Sequence, residues 1–349
     1  MNGWEIEFNI LLFIAAFAWV LFYLKKKKLS VFFGGLFLFA IISFVLALFI
    51  APDNFGVLRL LCHALFAHGI ILCIAYFIIA RNHNKYFSVL CLFAALLISF
   101  AGLDAFLVEP HWLKISRTKI KSKKIIKPIK IVVLSDFQTD KISEYEKNVI
   151  DLALNEKPDL ILMPGDYVQI ENYAERMSLY HELNFLLKEK KFGEEIPVFA
   201  VQGNVDMDDW PEIFKETGVI CLTSTTKTEK ENFVLTGLGM EDSFNQNIKI
   251  QKENKFHIVF GHSPDFSLSY PPADLLIAGH THGGQVCLPF FGPLLTLSQV
   301  PRKWAGGVTR MDENTLLIVS KGIGMERDNA PRLRFFCRPE IVVVTVIPE

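Results

Sequence analysis

The sequence lacks the features that mark several common protein classes. None of its six cysteines forms a Cys-x-x-Cys pair, so neither a disulfide framework nor a zinc knuckle is indicated. The formal net charge is only −1, and no basic face with interleaved aromatic residues occurs, which argues against a nucleic-acid partner. Internal repeats and low-complexity tracts are absent as well. Disulfide-rich, nucleic-acid-binding and repeat proteins are therefore disfavoured.

Charged residues are scarce before His111, and the hydrophobic fraction of the whole chain, 51%, is high for a soluble protein. The apolar residues form four runs long enough to cross the hydrocarbon core, which takes about 20 helical residues. These runs are Phe8–Leu24, Val31–Ala51, Val57–Ala80 and Tyr86–Val108. We therefore predict a four-helix transmembrane anchor over 1–110, a basic linker over 111–129 and a globular domain over 130–349.

The basic residues between the apolar runs bear on the orientation of the anchor. Lys25–Lys28, Arg81 and Lys85 put the first and third loops inside by the positive-inside rule, which sends the globular domain outside. The basic run between Lys114 and Lys124 favours the opposite orientation. Because the first helix usually dominates, we predict a multi-pass protein of the inner membrane with an extracytoplasmic domain.

Three ionisable residues interrupt the third apolar run. Arg59 lies near a helix end, where its side chain can reach lipid headgroups. His63 and His68 are five residues apart and so fall on different faces of an α-helix. We therefore expect no shared site for these residues.

From residue 130 short apolar strands alternate with helices, and later the pattern consists mostly of strands. Predicted helices cover 143–156 and 174–190, with a shorter one at 210–217. Predicted strands cover 131–134, 159–163, 197–201, 219–223, a hairpin at 226–238, 256–260, 274–278, 315–320 and 341–347. This order is typical of an α/β fold in which two sheets form a sandwich flanked by helices.

Polar residues whose oxygen or nitrogen atoms could bind a metal follow many of these strands. They are Asp136, Asp166, Asn204, His262, His280 and His282. Taken singly, an aspartate at a strand end is more often a turn or cap residue. Because strand ends of one α/β sheet share an edge, however, the six donors can converge there. Together they predict a dinuclear divalent-metal site, in which a bridging carboxylate and two ions activate water and clamp a phosphoryl group.

The order of these motifs resembles that of the calcineurin-like metallophosphoesterases, whose pattern is Asp-x-His, Gly-Asp-x-x, Gly-Asn-His-Asp, Gly-His and Gly-His-x-His. The resemblance covers about Lys130 to Glu349 and looks closest to a membrane-anchored bacterial subgroup. The similarity to this subgroup rests on two motifs, Gly279-His-Thr-His-Gly-Gly-Gln285 and Arg334-Phe-Phe-Cys-Arg-Pro-Glu340. The resemblance implies the metallo-dependent phosphatase fold and a hydrolase.

By this resemblance, Asp136 and His282 bind the first metal and Asp166 bridges, while Asn204, His262 and His280 bind the second. The predicted catalytic residues are Asp166, Asn204 and Asp206. Asp206 would orient Asn204 or its loop, and the alternative is an ordinary turn role. The implied cofactors are two divalent ions, Mn²⁺ first, with Mg²⁺, Fe²⁺ or Zn²⁺ as alternatives.

The chain departs from the family pattern at Gln138, which stands where the family has its first histidine. An amide oxygen is a harder ligand than an imidazole nitrogen, so a ligating Gln138 would shift the first site toward manganese or magnesium. The alternative is that Gln138 does not bind and that the first site is weak.

A second departure is Val205, which replaces the histidine of Gly-Asn-His-Asp. That histidine would protonate the leaving oxygen, a contribution typically worth about 10² to 10⁴ in rate. A phosphoanhydride needs no such proton, because its leaving group is stable as an anion. The UDP-diacylglucosamine pyrophosphatases of this family also lack the histidine, having arginine there. We therefore predict a substrate with a pyrophosphate bond or an activated ester.

An apolar loop, Leu288-Pro-Phe-Phe-Gly-Pro-Leu-Leu295, lies near the predicted site in sequence. It could enter the bilayer edge and admit an acyl chain, or it could pack on the core. Arg302, Lys303 and Arg327 follow it and could neutralise substrate phosphate or serve as surface charge.

We therefore predict a membrane-anchored phosphoesterase that hydrolyses a phosphate ester or anhydride by metal-activated hydroxide. Its substrate would be a phosphate-containing small molecule or lipid, lipid-linked or nucleotide-sugar in type. The alternative is a catalytically weak or inactive metal-binding sensor or scaffold at the membrane.

Overall fold

The computed structural model describes residues 2–349, which form two compact units. The first unit contains the chain up to Leu107 together with Glu326–Arg332. The second contains Val108–Met325 and Leu333–Glu349.

The first unit is helical. Its helices are α1 (Gly3–Lys26), α2 (Leu29–Ile50), α3 (Asn54–His63), α4 (Ile70–Ala80) and α5 (Lys85–Leu103). A π-helical segment, Ala64–Gly69, joins α3 to α4. By length and composition, four spans in the described residues could cross a membrane: Gly3–Lys26, Leu29–Ile50, Asn54–Ala80 and Lys85–His111. The four predicted helices are therefore present.

The π-helical segment changes the placement of the two histidines on this span. Its backbone hydrogen bonds close five residues apart, so residues i and i+5 share a face. Asn9 on α1 contacts both rings, with its Nδ2 3.0 Å from His63 Nδ1 and its Oδ1 2.8 Å from His68 Nε2. The prediction that His63 and His68 lie on different helix faces is therefore wrong, because it assumed α-helical periodicity.

The second unit is built on two six-stranded sheets. The first sheet has the order β1-β14-β2-β3-β4-β5, formed by Lys114–Ser122, Glu340–Pro348, Ile129–Val133, Leu160–Met163, Val198–Val201 and Ile220–Leu222. The second has the order β12-β13-β9-β8-β7-β6, formed by Gly307–Arg310, Leu316–Val319, Leu275–Ala278, Phe256–Phe260, Phe233–Gly237 and Thr226–Glu229. A two-stranded ribbon pairs β10 (Cys287–Leu288) with β11 (Gly292–Pro293). The helices are α6 (Glu144–Asn155), α7 (Tyr173–Glu189) and α8 (Met240–Phe244).

The two sheets pack face to face. Alternate residues of the central strands, such as Val133 and Leu162 from one sheet and Ile258 and Ile277 from the other, form a single buried cluster. The opposite face of the first sheet packs against α6 and α7, through residues such as Val149 and Leu183. Both faces of the parallel strands are therefore covered, which explains their uninterrupted apolar sequence. The predicted sandwich flanked by helices is confirmed.

The structure differs from the prediction at the segment 111–129, which was expected to be a linker. Residues Lys114–Ser122 form β1, which pairs in parallel with the whole length of β14. Along β1, Arg117, Lys119 and Lys121 alternate with Ser116, Thr118 and Ile120, and Ile120 is buried. The composition of an edge strand with outward-facing lysines resembles that of a solvated linker, so the segment was predicted as a linker. The alternation of its side chains between two faces is the pattern of a strand.

The strand directions bring the polar loops together. β2, β3 and β4 are parallel neighbours in one sheet, and β8 and β9 are parallel neighbours in the other. Backbone hydrogen bonds join the loops that follow them, from Asp136 N to Gly165 O at 3.1 Å and from Gly279 N to His262 O at 2.9 Å. The loops that carry the predicted ligands therefore meet at one end of the sandwich.

Candidate metal centre

Five predicted ligands have left-handed backbone conformations, which are uncommon for residues other than glycine. They are Asp136, Gln138, Asp166, His280 and His282, with φ values between 35° and 68°. Such conformations concentrate at functional sites, where surrounding contacts hold them in place. Each residue lies in a loop that follows a buried strand. The loops direct these side chains away from the core and toward one another.

The side chains form two overlapping triads. One contains Asp166, His262 and His280, and the other contains Asp136, Asp166 and His282. Within each triad the possible ligand atoms lie within 4.8 Å of one another. Asp166 belongs to both, which is the position that a bridging carboxylate occupies between two metal ions.

Carbonyl partners determine which nitrogen of two imidazoles can face a metal. His262 Nδ1 lies 2.8 Å from Pro164 O, and His280 Nε2 lies 3.1 Å from Leu297 O. A carbonyl oxygen only accepts, so each of these nitrogens carries the ring proton. Burial lowers the pKa of His262 well below its ordinary value and also lowers that of His280, which keeps both rings neutral. His262 Nε2 and His280 Nδ1 therefore present lone pairs.

Four electron-pair donors then face one point. Asn204 Oδ1, His280 Nδ1 and Asp166 Oδ2 lie 2.8, 3.2 and 3.3 Å from His262 Nε2. Because both ring protons are directed at carbonyls, neither imidazole donates a hydrogen bond to the other atoms of this group. A cation bound among the four atoms would accept a lone pair from each. This chemistry fits a divalent metal, with the carbonyl bonds to Pro164 and Leu297 orienting the imidazoles.

Residues 129–284 match the family model of the calcineurin-like phosphoesterases. A metallophosphoesterase of Bacillus subtilis, YkuE, is 28% identical over 68% of this chain and 87% of its own length. The phosphodiesterase YaeI of Escherichia coli is 27% identical over 68% of this chain and 90% of its own. The solved structure of Yfce, a phosphoesterase from E. coli, is 15% identical, covers 58% of this chain and 85% of that chain, and has a TM-score of 0.32. The chain carries a calcineurin-like phosphoesterase domain. It is a hydrolase domain.

In the phosphoesterase domain, the second half of the site contains Asp136, Gln138 and His282. His282 Nε2 lies 3.8 Å from Asp136 Oδ1, and the same carboxylate accepts the backbone N–H of His280 at 2.8 Å. Gln138 Nε2 lies 3.4 Å from Asp166 Oδ2, so the amide nitrogen rather than the oxygen faces the shared carboxylate. Rotation of the amide by half a turn would present Oε1 instead. Metal ligation by Gln138 stays a prediction.

Asp206 holds the loops rather than facing the triads. Its carboxylate accepts backbone N–H groups from Asp166 at 2.7 Å, from Tyr167 at 2.8 Å and from Gly203 at 2.8 Å. Burial raises the pKa of Asp206 to about 6, and these backbone donors oppose the rise. Its contacts are those of a residue that positions Asp166 and the Asn204 loop.

Glycine is required at two of the motif positions because the ligands lie against the backbone. A Cβ at Gly203 would lie 2.1 Å from Asp166 Oδ1, and one at Gly279 would lie 2.4 Å from Asp136 Oδ2. Neither approach is possible for a side chain, so these glycines keep the site compact.

The Arg334-to-Glu340 motif supports the site from behind, a role that sequence reasoning missed. Arg334 is completely buried, and its guanidinium donates to the carbonyls of Lys321, Cys337 and Gly324 at 2.8, 2.9 and 3.1 Å. Glu340 Oε1 accepts the backbone N–H of Lys321 at 3.1 Å. A Cβ at Gly322 would lie 2.8 Å from Asp136 Cβ and 3.1 Å from His282 Nδ1, so this braced loop packs directly behind the site. The motif itself was visible in the sequence, but its partners were not.

Proposed function

We propose that this chain is a membrane-anchored, metal-dependent phosphoesterase that acts on phosphoanhydrides or on esters with acidic leaving groups. The observation that carries the proposal is the sharing of Asp166 between two triads of donors, all buried except the half-buried His280. Two ions held in this way would activate water and neutralise the charge of a phosphoryl group. Asp136, His282 and Gln138 would hold one ion, and Asn204, His262 and His280 the other.

The chain's own residues complete the site. Asn204 is exposed, and because its Oδ1 faces His262, its amide N–H groups can donate to a phosphoryl oxygen of the substrate. Asp206 holds the Asp166 and Asn204 loops in register through backbone N–H groups. The mixture of carboxylate, amide and imidazole donors suits Mn²⁺ first, with Mg²⁺, Fe²⁺ or Zn²⁺ as alternatives.

Val205 supports the choice of leaving group. Its backbone N–H donates to Asp166 Oδ1 at 3.0 Å, so the residue lies at the site, yet its side chain cannot transfer a proton. An alkoxide leaving group would depart unprotonated and slowly. A phosphate released from an anhydride is stable as an anion and is the better match.

The apolar segment 288–297, which contains the predicted loop 288–295, supports a lipid-linked substrate. Its large side chains are exposed rather than packed: Leu288, Phe290, Phe291, Leu294, Leu295 and Leu297. The segment ends at Leu297, whose carbonyl holds the His280 ring, so it adjoins the proposed metal site. The Arg302 guanidinium stacks 4.6 Å from the Phe291 ring, placing a cation beside the apolar tip where anionic headgroups would lie. A substrate with an acyl or prenyl chain and a diphosphate fits this arrangement, with a nucleotide sugar as the soluble alternative.

The test is hydrolysis by the full chain, purified in detergent, with Mn²⁺, Mg²⁺ or Zn²⁺. The substrates are bis(p-nitrophenyl) phosphate, p-nitrophenyl phosphate and a UDP-sugar. We expect metal-dependent turnover that Asp166→Asn lowers by about 100-fold or more, because both ions lose a charged ligand worth several kcal/mol of transition-state stabilisation.

The matched control is Asp151→Asn, on the surface of α6, where the carboxylate pairs with Lys190 at 2.6 Å. It should leave turnover unchanged. A folded, metal-loaded protein without turnover on any substrate would contradict the enzyme and favour the metal-binding sensor or scaffold. That role would accord with the two departures at Gln138 and Val205.

A further inference from the structure

Two cysteines that are far apart in the sequence share one hydrogen-bond acceptor next to the His-x-His turn. Cys287 Sγ lies 3.2 Å from Gly283 O, and Cys337 Sγ lies 3.5 Å from the same oxygen. Cys337 Sγ also donates to His282 O at 3.3 Å. Both are free thiols in this structure.

The backbone places the two thiols side by side. An isolated parallel bridge joins Val286 to Phe335, with Cys287 N donating to Phe335 O at 2.8 Å. If both segments were regular strands, Cys287 and Cys337 would therefore point to opposite faces. Phe336, however, has a φ of 52° and redirects the chain before Cys337. Glu109 accepts the backbone N–H groups of both Phe336 and Cys337, which holds the redirected segment in place.

We propose that Cys287 and Cys337 form a dithiol site that is oxidised to a disulfide by thiol–disulfide exchange with a small-molecule disulfide. Cys287 is partly exposed and Cys337 is fully buried, so Cys287 is the thiol that an oxidant reaches. The Cys287 thiolate attacks one sulfur of the oxidant, giving a mixed disulfide and releasing the first thiol. The Cys337 thiolate then attacks the Cys287 sulfur, forming the intramolecular bond and releasing the second thiol. Two electrons pass to the oxidant, and the two protons from the cysteines end on its two thiols.

The oxidation acts on the turn that carries His282. His282, Gly283, Gly284 and Gln285 all have positive φ values, between 49° and 82°, an arrangement that needs support from its surroundings. In the dithiol form, both S–H groups donate to the carbonyls of His282 and Gly283. The disulfide has no S–H donor, so these bonds are lost. This consequence, unlike the disulfide itself, rests on the proposed metal-binding role of His282.

The experiment equilibrates the full chain in detergent with glutathione redox buffers, blocks remaining thiols with N-ethylmaleimide and maps disulfides by mass spectrometry. We expect a peptide crosslinked between Cys287 and Cys337 in the wild type and in the matched control Cys221→Ser, which removes a half-buried thiol elsewhere. Cys287→Ser should remove the crosslink. A stable glutathione adduct on Cys287 with Cys337 still reduced would overturn the proposal.

The second readout is Mn²⁺ affinity, measured by titration without substrate. We expect oxidation to weaken binding by roughly 10-fold, the lower end of what loss of a group supporting a metal ligand causes. Cys287→Ser should show no such change between the two redox buffers. A disulfide that leaves Mn²⁺ affinity unaltered would overturn the link to the His282 turn. Because neither readout uses turnover, failure of the proposed catalytic function would be seen separately.

Discussion

Val205 stands beside the Asp166 carboxylate, and in the function proposed above its side chain decides which leaving groups can depart. Its N–H already donates to Asp166 Oδ1, so the backbone position is compatible with a side chain that reaches the substrate. The residue is only partly buried, which leaves room for a larger group. The missing proton donor is therefore a local change that can be reversed.

We expect Val205→His to raise turnover of an alkyl phosphate by about 10²-fold, the lower end of the usual contribution of a general acid. Hydrolysis of a UDP-sugar should change less than threefold, because its leaving group needs no proton. Steady-state kinetics with both substrates would measure this. Val205→Gln, similar in size but unable to supply a proton readily, is the control; equal gains from both variants would refute the leaving-group argument.

The buried imidazole of His262 and the half-buried imidazole of His280 lead to a prediction about pH. Burial lowers the pKa of His262 and His280, and protonation of either ring would compete with a metal. Because the depressed pKa values keep the rings neutral, we expect bound Mn²⁺ to persist at about pH 6.5, the ordinary pKa of histidine, and to be lost only below it.

Metal content after rapid desalting at each pH would check this. His257 is buried away from the triads, where its Nε2 lies 2.8 Å from Thr236 Oγ1, so His257→Gln serves as the control and should keep the wild-type profile. Release of Mn²⁺ with a midpoint above the ordinary histidine pKa would contradict the argument.

Among the structural elements of the phosphoesterase domain, the ribbon of β10 and β11 is notable for its exposed apolar side chains. Its tip is apolar and exposed, whereas apolar side chains in the neighbouring strands are buried. Such a patch marks an interaction surface on a folded domain. The Arg302 stack beside Phe291 adds the positive charge that an anionic bilayer surface attracts.

Replacing Phe290 and Phe291 with serine should raise KM for a diphosphate lipid in vesicles by about 10-fold or more, given roughly 1.5–3 kcal/mol for burial of each phenylalanine. Turnover of a soluble UDP-sugar should not change. Phe185→Ser, at an exposed phenylalanine on α7, is the matched control. Equal losses on both substrates would show instead that the segment supports the fold.

At the scale of the whole molecule, the basic residues bear on which side of the membrane the phosphoesterase domain lies. The clusters at Lys25–Lys28 and at Arg81 and Lys85 favour a domain outside the cytoplasm, whereas the outward lysines of β1 favour the reverse. Since β1 is part of a folded sheet, its charges belong to a domain, and the charges of large domains contribute little to orientation.

We therefore expect alkaline phosphatase fused after Glu349 to be active and green fluorescent protein fused there to be dark. Fusions after Asn84, in the third loop, should give the reverse pair of signals. A fluorescent, phosphatase-negative fusion at Glu349 would place the domain in the cytoplasm and contradict the prediction.

The sequence by itself determined the four helices, most strands of both sheets and the set of candidate ligands. Each depends on local pattern: uninterrupted apolar runs build buried strands and membrane-length helices, and polar residues directly after them mark the sheet edge. The strands predicted at 256–260 and 274–278 match β8 and β9 closely for this reason. β12 was missed because its alternating, half-exposed residues give a weak local signal.

Only the tertiary structure decided the features that depend on distant partners. β1 becomes a strand because β14 pairs with it, and Arg334 becomes a brace because the Lys321–Gly324 loop closes over it. Cys287 meets Cys337 through the turn at Phe336. The lone pairs of His262 and His280 point at one another because the opposite ring N–H groups donate to carbonyl oxygens elsewhere. Such contacts arise from chain closure over long separations, and short-range periodicity does not record them.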